Sequence, residues 1–123
     1  MNGIQILFLD SGTGGLPYML SLKKLAPEVR CVYIGDTANF PYGEKSLVQL
    51  EQMACGTVGR AIKCFNPQIV VIACNTMSVA ALNSLRANFD VPFVGTVPAI
   101  KLAAKSTQNK KIGLLATRHT IED

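Results

Sequence analysis

The sequence predicts an α/β protein built on a doubly wound parallel sheet with helices on both faces. Short apolar runs alternate with amphipathic segments along the 123 residues, and this alternation is typical of parallel strands joined by crossover helices. Residues 69–73 form a continuous apolar run rich in β-branched side chains, as expected for a central strand buried on both faces. A segment rich in turn-forming residues follows each of the first runs. We therefore expect one domain with five strands.

Each element is predicted from its own pattern. The first apolar run ends in a glycine-rich turn, and the next segment has apolar residues at helical spacing, with Pro17 in its first turn. Ser46 is a suitable N-cap for a long helix, which Asn66 and Pro67 end. The expected strands cover residues 4–9, 31–34, 69–73, 92–95 and 111–116, and the expected helices cover residues 16–25, 46–65, 78–89 and 98–105.

The C-terminal residues predict the start of a further helix. Thr120 is a suitable N-cap, and residues 121–123 look like an acidic first turn. A single turn is too short to be a stable helix. We therefore expect residues 1–123 to be the N-terminal domain of a longer protein, truncated after the fifth strand, with its second domain absent.

Composition and charge exclude several classes of protein. The net charge is +4, but the longest basic runs are two lysine pairs, without the clustered stripe that a nucleic-acid partner requires. No apolar run approaches the ~18 residues of a membrane helix, and no basic residue precedes the first apolar stretch as in a signal peptide. Four cysteines without a C-x-x-C pair, and a single histidine, predict reduced thiols and no metal site. We expect a cytoplasmic protein without nucleic-acid or membrane partners.

In a parallel sheet, ligands bind beyond the carboxyl ends of the strands. Cys74 ends the most apolar strand and precedes a helix, so the helix dipole and nearby N–H groups favour a thiolate there. A phosphatase loop would need Arg where Ala80 stands, and His119 has no adjoining acidic residue to orient it as a hydrolase base. What is left is a thiolate acting as a base on carbon, with a buried structural cysteine as the alternative. The other three cysteines are expected to lie in the core.

Asp10 follows the first strand, where a carboxylate can bind a substrate ammonium group, tune a neighbouring thiol, or simply hydrogen-bond within its own turn. Gly12 and Gly14 fit a dinucleotide-binding fingerprint, but Pro17 occupies the third glycine position and disfavours a nicotinamide cofactor. The loop can still present N–H groups to an anion. A non-catalytic binding module for a small carboxylate or a nucleotide is therefore the alternative function.

Five stretches, in this order along nearly the whole chain, resemble the N-terminal part of glutamate racemases in the aspartate/glutamate racemase family. They cover residues 10–16, 35–45, 73–78, 97–101 and 112–117. The resemblance implies a cofactor-independent enzyme that interconverts L- and D-glutamate and supplies D-glutamate for peptidoglycan. In that family two cysteines transfer protons on opposite faces of the substrate α-carbon.

By residue match, the resemblance makes Cys74 one of the two catalytic cysteines. It implies substrate binding by seven residues: Asp10, Ser11, Tyr42, Gly43, Asn75, Thr76 and Thr117. The second cysteine of the family lies in a Cys-Thr-His stretch of the C-terminal half, and this sequence has no cysteine after Cys74. We therefore expect that this chain by itself does not racemise glutamate, and that the full-length protein is a homodimer.

Overall fold

A parallel sheet of four strands forms the centre of the computed structural model, which describes residues 3–122. The strands are β1 (Ile6–Asp10), β2 (Cys31–Gly35), β3 (Ile69–Ile72) and β4 (Phe93–Gly95). They lie in the order β2-β1-β3-β4, and every neighbouring pair is parallel. The predicted α/β fold class is confirmed.

The helices alternate with the strands. They are α1 (Leu16–Leu25), α2 (Leu47–Phe65), α3 (Asn75–Asn88), α4 (Ile100–Ser106) and α5 (Arg118–Glu122), and the loop after β2 contains two 3-10 turns. The chain moves from β1 to β2 in one direction and from β2 to β3 to β4 in the other. Because such crossovers are right-handed, α1 lies on one face of the sheet, and α2 and α3 lie on the other.

Ser46 begins the longest helix with a reciprocal pair of hydrogen bonds. Its hydroxyl accepts from the Gln49 N–H at 3.3 Å, and its own N–H donates to the Gln49 side chain at 2.9 Å. This capping box satisfies two backbone donors that the helix leaves unpaired. Asn66 ends the helix in a left-handed conformation with φ of 44°. The predicted bounds of this helix are confirmed.

The predicted fifth strand is wrong. Residues 111–116 have no regular secondary structure, and β4 stays at the edge of the four-stranded sheet. Ile112 and Leu114 are exposed, and Leu115 is fully so. An apolar run indicates a buried strand only where other elements cover it, and none of the described elements covers this one.

Two helices begin earlier than predicted. The α3 helix begins at Asn75 instead of residue 78, because the Cys74 sulfur accepts the N–H of Met77 at 3.5 Å and so caps the helix itself. The α5 helix begins at Arg118, and the carbonyl of Thr117 accepts from the N–H of Ile121 at 3.1 Å. Thr120 is therefore a buried residue within the helix, and its predicted role as the N-cap is wrong.

The hydrophobic core lies between the sheet and the two helices on its α2–α3 face. Its largest fully buried side chains are Leu7, Leu9, Leu50, Val58, Val70, Ile72, Met77 and Leu85. Tyr42 packs into the same cluster and is only 3% exposed. Its hydroxyl donates to Asp36 at 2.5 Å, and burial, together with this carboxylate, raises the pKa of the phenol above its ordinary value of 10.0. Within residues 3–122, no helix is long and apolar enough to cross a bilayer.

Gly15, just before α1, is in direct contact with the end of β3. Its backbone is ordinary, with φ of −85°, so the constraint here is space. A Cβ at this position would lie 2.4 Å from the Ala73 Cβ and 2.9 Å from the Ala73 carbonyl oxygen. Gly15 therefore allows the glycine-rich turn to pack against the tip of β3.

We predict that Gly15→Ala lowers the free energy of unfolding by about 1–3 kcal/mol, because the added methyl overlaps backbone and cannot be accommodated by a rotamer change. Urea unfolding measures this change. Gly12→Ala is the matched control, since no atom lies within 4 Å of its added Cβ. Equal losses of stability in the two variants would contradict the prediction.

We predict that the stability of the protein falls in alkaline solution partly through Tyr42. The raised pKa means that the folded state keeps the phenol protonated above pH 10.0 while the unfolded chain ionises. This stabilisation is complete below the pKa that the phenol has in the unfolded chain. Above that pKa it is lost by up to about 1.4 kcal/mol per pH unit. Urea unfolding across this range should show a shallower pH dependence for Tyr42→Phe than for the wild type, and parallel curves would refute the assignment.

Candidate functional site

Cys74 lies where β3 ends and α3 begins, and its side chain is at the carboxyl edge of the sheet. The residue is 8% exposed. Its sulfur accepts the backbone N–H of Met77 at 3.5 Å, and the thiol donates to the Ser11 hydroxyl at 3.6 Å. The sulfur therefore contacts a helix N-terminus on one side and the glycine-rich turn after β1 on the other.

Asp10 is the last residue of β1 and is held by three hydrogen bonds. Its carboxylate accepts from the N–H groups of Ser11 and Gly15, both at 2.8 Å, and from the Tyr33 hydroxyl at 2.7 Å. The residue is 5% exposed. Burial, and then the hydrogen bond and charge of Asp10, raise the pKa of Tyr33. The expected turn interaction is present, and the carboxylate also faces the cleft described next.

A cleft of about 420 Å³ opens at this edge of the sheet and joins five of the predicted site residues. They are Asp10, Cys74, Asn75, Thr76 and Thr117. Pro98 and the irregular residues 114–116 also line this cleft. The carboxyl ends of β1 and β3 therefore meet in one cleft, as the parallel topology requires.

Three threonines connect the C-terminal segment to this cleft. The hydroxyls of Thr76 and Thr117 are 2.8 Å apart, and those of Thr117 and Thr120 are 3.2 Å apart. Thr120 is buried and also lines the cleft. These hydrogen bonds hold α5 beside the start of α3.

Ser11, Tyr42 and Gly43 lie next to this cleft instead of along it. Ser11 lines a neighbouring cleft of about 540 Å³ with residues 10–14, Thr37 and Phe40. A Cβ at Gly43 would be 3.5 Å from the side chain of Thr117, so this residue is adjacent to one that lines the cleft. The Tyr42 side chain points into the core, so only its backbone can face a ligand. The expected roles of these residues in substrate binding stay predictions.

Sequence reasoning missed Tyr33. The register pairs Tyr33 with Phe8, and side chains two residues apart in a strand share a face. Tyr33 and Asp10 are therefore on the same face of neighbouring strands. A hydroxyl in an apolar strand is a signal that a polar partner is near, but the register that identifies the partner is not readable from the sequence.

The other cysteines are less buried than predicted. Cys64 is exposed on α2, so its expected place in the core is wrong, and Cys31 and Cys55 are partly exposed. Burial raises the pKa of Cys31 and of Cys55, and Glu51 raises that of Cys55 further. Among residues 3–122, no three His, Cys, Asp or Glu side chains are grouped closely enough to hold a metal ion.

The sequence model described as Asp/Glu/Hydantoin racemase matches residues 18–123. The glutamate racemase of Treponema pallidum (strain Nichols) is 50% identical over 117 residues, which are 95% of this chain and 44% of the Treponema protein. The chain therefore spans less than half the length of this relative.

Solved structures of similar proteins lead to the same family. Escherichia coli glutamate racemase, solved in complex with L-glutamate and the activator UDP-MurNAc-ala, superposes with a TM-score of 0.88 at 40% identity, over 99% of this chain and 46% of that one. Francisella tularensis glutamate racemase, solved in complex with D-glutamate, gives a TM-score of 0.77 at 28% identity, over 99% of this chain and 46% of that one. The sequence match and the shared fold show that the chain belongs to the Asp/Glu/hydantoin racemase family.

Proposed function

We propose that this chain is the N-terminal domain of a cofactor-independent glutamate racemase and supplies the thiol that acts on one face of the substrate α-carbon. The observation that carries the proposal is the cleft in which Cys74 meets Asp10, Asn75 and Thr76. Support also comes from relatives of that name, of which one was solved with L-glutamate and another with D-glutamate.

The chemistry assigned to Cys74 is proton transfer. As a thiolate, its sulfur takes the α-proton of glutamate: an S–H bond forms, the Cα–H bond breaks, and the electron pair stays on the substrate as a carbanion. Negative charge on the sulfur is stabilised before the transfer by the Met77 N–H, at 3.5 Å, and by the N-terminus of α3. In the reverse direction the neutral thiol returns a proton to the same face.

The other residues of the cleft and those next to it bind and orient the substrate in this proposal. The Asp10 carboxylate faces the α-ammonium group, and the polar side chains of Ser11, Asn75, Thr76 and Thr117 bind the carboxylates. Tyr42 and Gly43 act through backbone N–H groups. Donors fixed by the fold stabilise the developing carbanion without having to reorganise during the reaction.

Inversion at the α-carbon requires a proton donor on the opposite face. No cysteine follows Cys74 in this sequence, so we assign the second thiol to a C-terminal domain like the remaining half of the longer relatives. In the cell, the proposed role is cytoplasmic supply of D-glutamate for peptidoglycan by a homodimeric enzyme.

We predict that the isolated 123-residue chain does not racemise glutamate, because it offers a thiol to only one face of the α-carbon. A coupled assay that detects L-glutamate formed from D-glutamate measures this directly. Sustained conversion by the purified chain that disappears in Cys74→Ala would overturn the prediction.

We predict that a chimera of these residues with the non-matching remainder of the Treponema pallidum racemase interconverts the two enantiomers. Cys74→Ser in this chimera should lower kcat by about 10²–10⁴-fold, the usual contribution of a positioned acid or base. Cys64→Ser is the matched control, because this exposed thiol lies on α2 away from the cleft, and it should leave the rate unchanged. Full activity in Cys74→Ser would refute the proposed function.

A further inference from the structure

Tyr33 ties the sheet to the turn that carries two of the proposed site residues. Its hydroxyl oxygen lies 2.7 Å from the Asp10 carboxylate and 3.0 Å from the carbonyl oxygen of Gly12. The other two donors to Asp10 are the N–H groups of Ser11 and Gly15, which belong to the same turn. Among the described residues, Tyr33 is thus the donor that fixes Asp10 from a different strand.

The two contacts of the Tyr33 hydroxyl are not equivalent. A phenol has one proton to donate, and a charged acceptor forms the shorter and stronger bond. The 2.7 Å distance to the carboxylate fits this order. The carbonyl of Gly12, at 3.0 Å, is the second acceptor within reach. The hydroxyl therefore lies between the carboxylate and the middle of the turn, and small shifts of either one would weaken its bond.

The position of this turn determines which groups lie beside the Cys74 sulfur. Ser11 follows Asp10 directly, and its hydroxyl lies 3.6 Å from that sulfur. Gly15 ends the turn against Ala73, the residue before Cys74. A rotation of Asp10 would therefore move the groups that face the thiol.

We propose that Tyr33 is a positioning residue that acts through Asp10: its hydroxyl holds the carboxylate and the turn of residues 11–15 in place beside Cys74. A role of Tyr33 in catalysis rests on the proposed function. The positioning of Asp10 by Tyr33 can be tested without measuring racemisation. Burial and the neighbouring carboxylate raise the pKa of Tyr33, so the phenol stays a donor at neutral pH.

The test is the rate at which iodoacetamide alkylates each cysteine of the purified chain, followed by mass spectrometry as a function of pH. The ionisable groups around the Cys74 sulfur are Asp10 of β1 and Tyr18 of α1, which line the same cleft, and the buried phenols of Tyr33 on β2 and Tyr42 in the loop after β2. Tyr33→Phe removes one of the three donors to the Asp10 carboxylate, so the negative charge of Asp10 is less compensated and disfavours a thiolate nearby. We expect the midpoint of the Cys74 profile to rise by about 0.5 pH unit or more.

The controls separate a local effect from general loosening of the fold. The exposed Cys64 and the partly buried Cys55 should keep their profiles in Tyr33→Phe. Tyr18→Phe removes a hydroxyl from another tyrosine that lines the cleft with Cys74 but shares no hydrogen bond with Asp10, and it should leave the Cys74 midpoint unchanged. In an Asp10→Asn background, adding Tyr33→Phe should produce no further shift. A Cys74 midpoint that stays in place in folded Tyr33→Phe would overturn the proposal.

A second measurement covers the case in which Tyr33→Phe does not fold. In Asp10→Asn, with Tyr33 intact, the phenol loses a charged acceptor that raises its pKa. In a Tyr42→Phe background, which removes the other tyrosine whose pKa Asp10 raises, the ultraviolet titration of Tyr33 should then move to lower pH, toward 10.0. An unchanged titration would show that the two groups are not coupled and would refute the proposal. If the chimera racemises glutamate although Tyr33 and Asp10 are not coupled, the proposed function still holds and only this inference fails.

Discussion

The site depends on one topological constraint: the chain leaves β1 in one direction along the sheet and leaves β3 in the other. Between two such neighbouring strands the crossover helices diverge to opposite faces, and a crevice opens at their carboxyl ends. Asp10 ends β1, and Cys74 follows β3. The strand order therefore brings residues 64 positions apart within reach of one cleft. Gly15 makes this possible, because any larger residue would push the turn after β1 away from the tip of β3.

The polar groups at this crevice are held in place by the fold itself. Every hydrogen bond of the Asp10 carboxylate comes from backbone N–H groups of its own turn or from a hydroxyl on the neighbouring strand. The hydrogen-bonded hydroxyls of Thr76, Thr117 and Thr120 hold one another in place in the same cleft. The proton transfer proposed for Cys74 would require such preorganisation, since reorientation of dipoles during the removal of a weakly acidic proton from carbon would add to its barrier.

Much of this arrangement could be predicted from the sequence, and the failures have physical causes. Alternating apolar and amphipathic segments identified all four strands, and the Ser46 cap identified the longest helix. The apolar run at residues 111–116 was wrongly predicted to be a strand. Its composition shows that the segment can be buried but does not show whether another element covers it. The candidate segments at strand ends followed from parallel topology, and the choice of binding residues among them followed from the family resemblance. Tyr33 could not be found in this way, since its partner depends on the register between β1 and β2.

The Cys74 sulfur caps α3 at a position where other side chains would make a stronger cap. Sulfur is a weak acceptor, and serine is among the residues that helix N-termini prefer there. For the architecture alone, a hydroxyl would serve this junction better than a thiol. Under the proposed function, a cysteine at a position suited to serine represents a trade-off between stability and activity, in which a reactive thiol is kept at the expense of a stronger helix start.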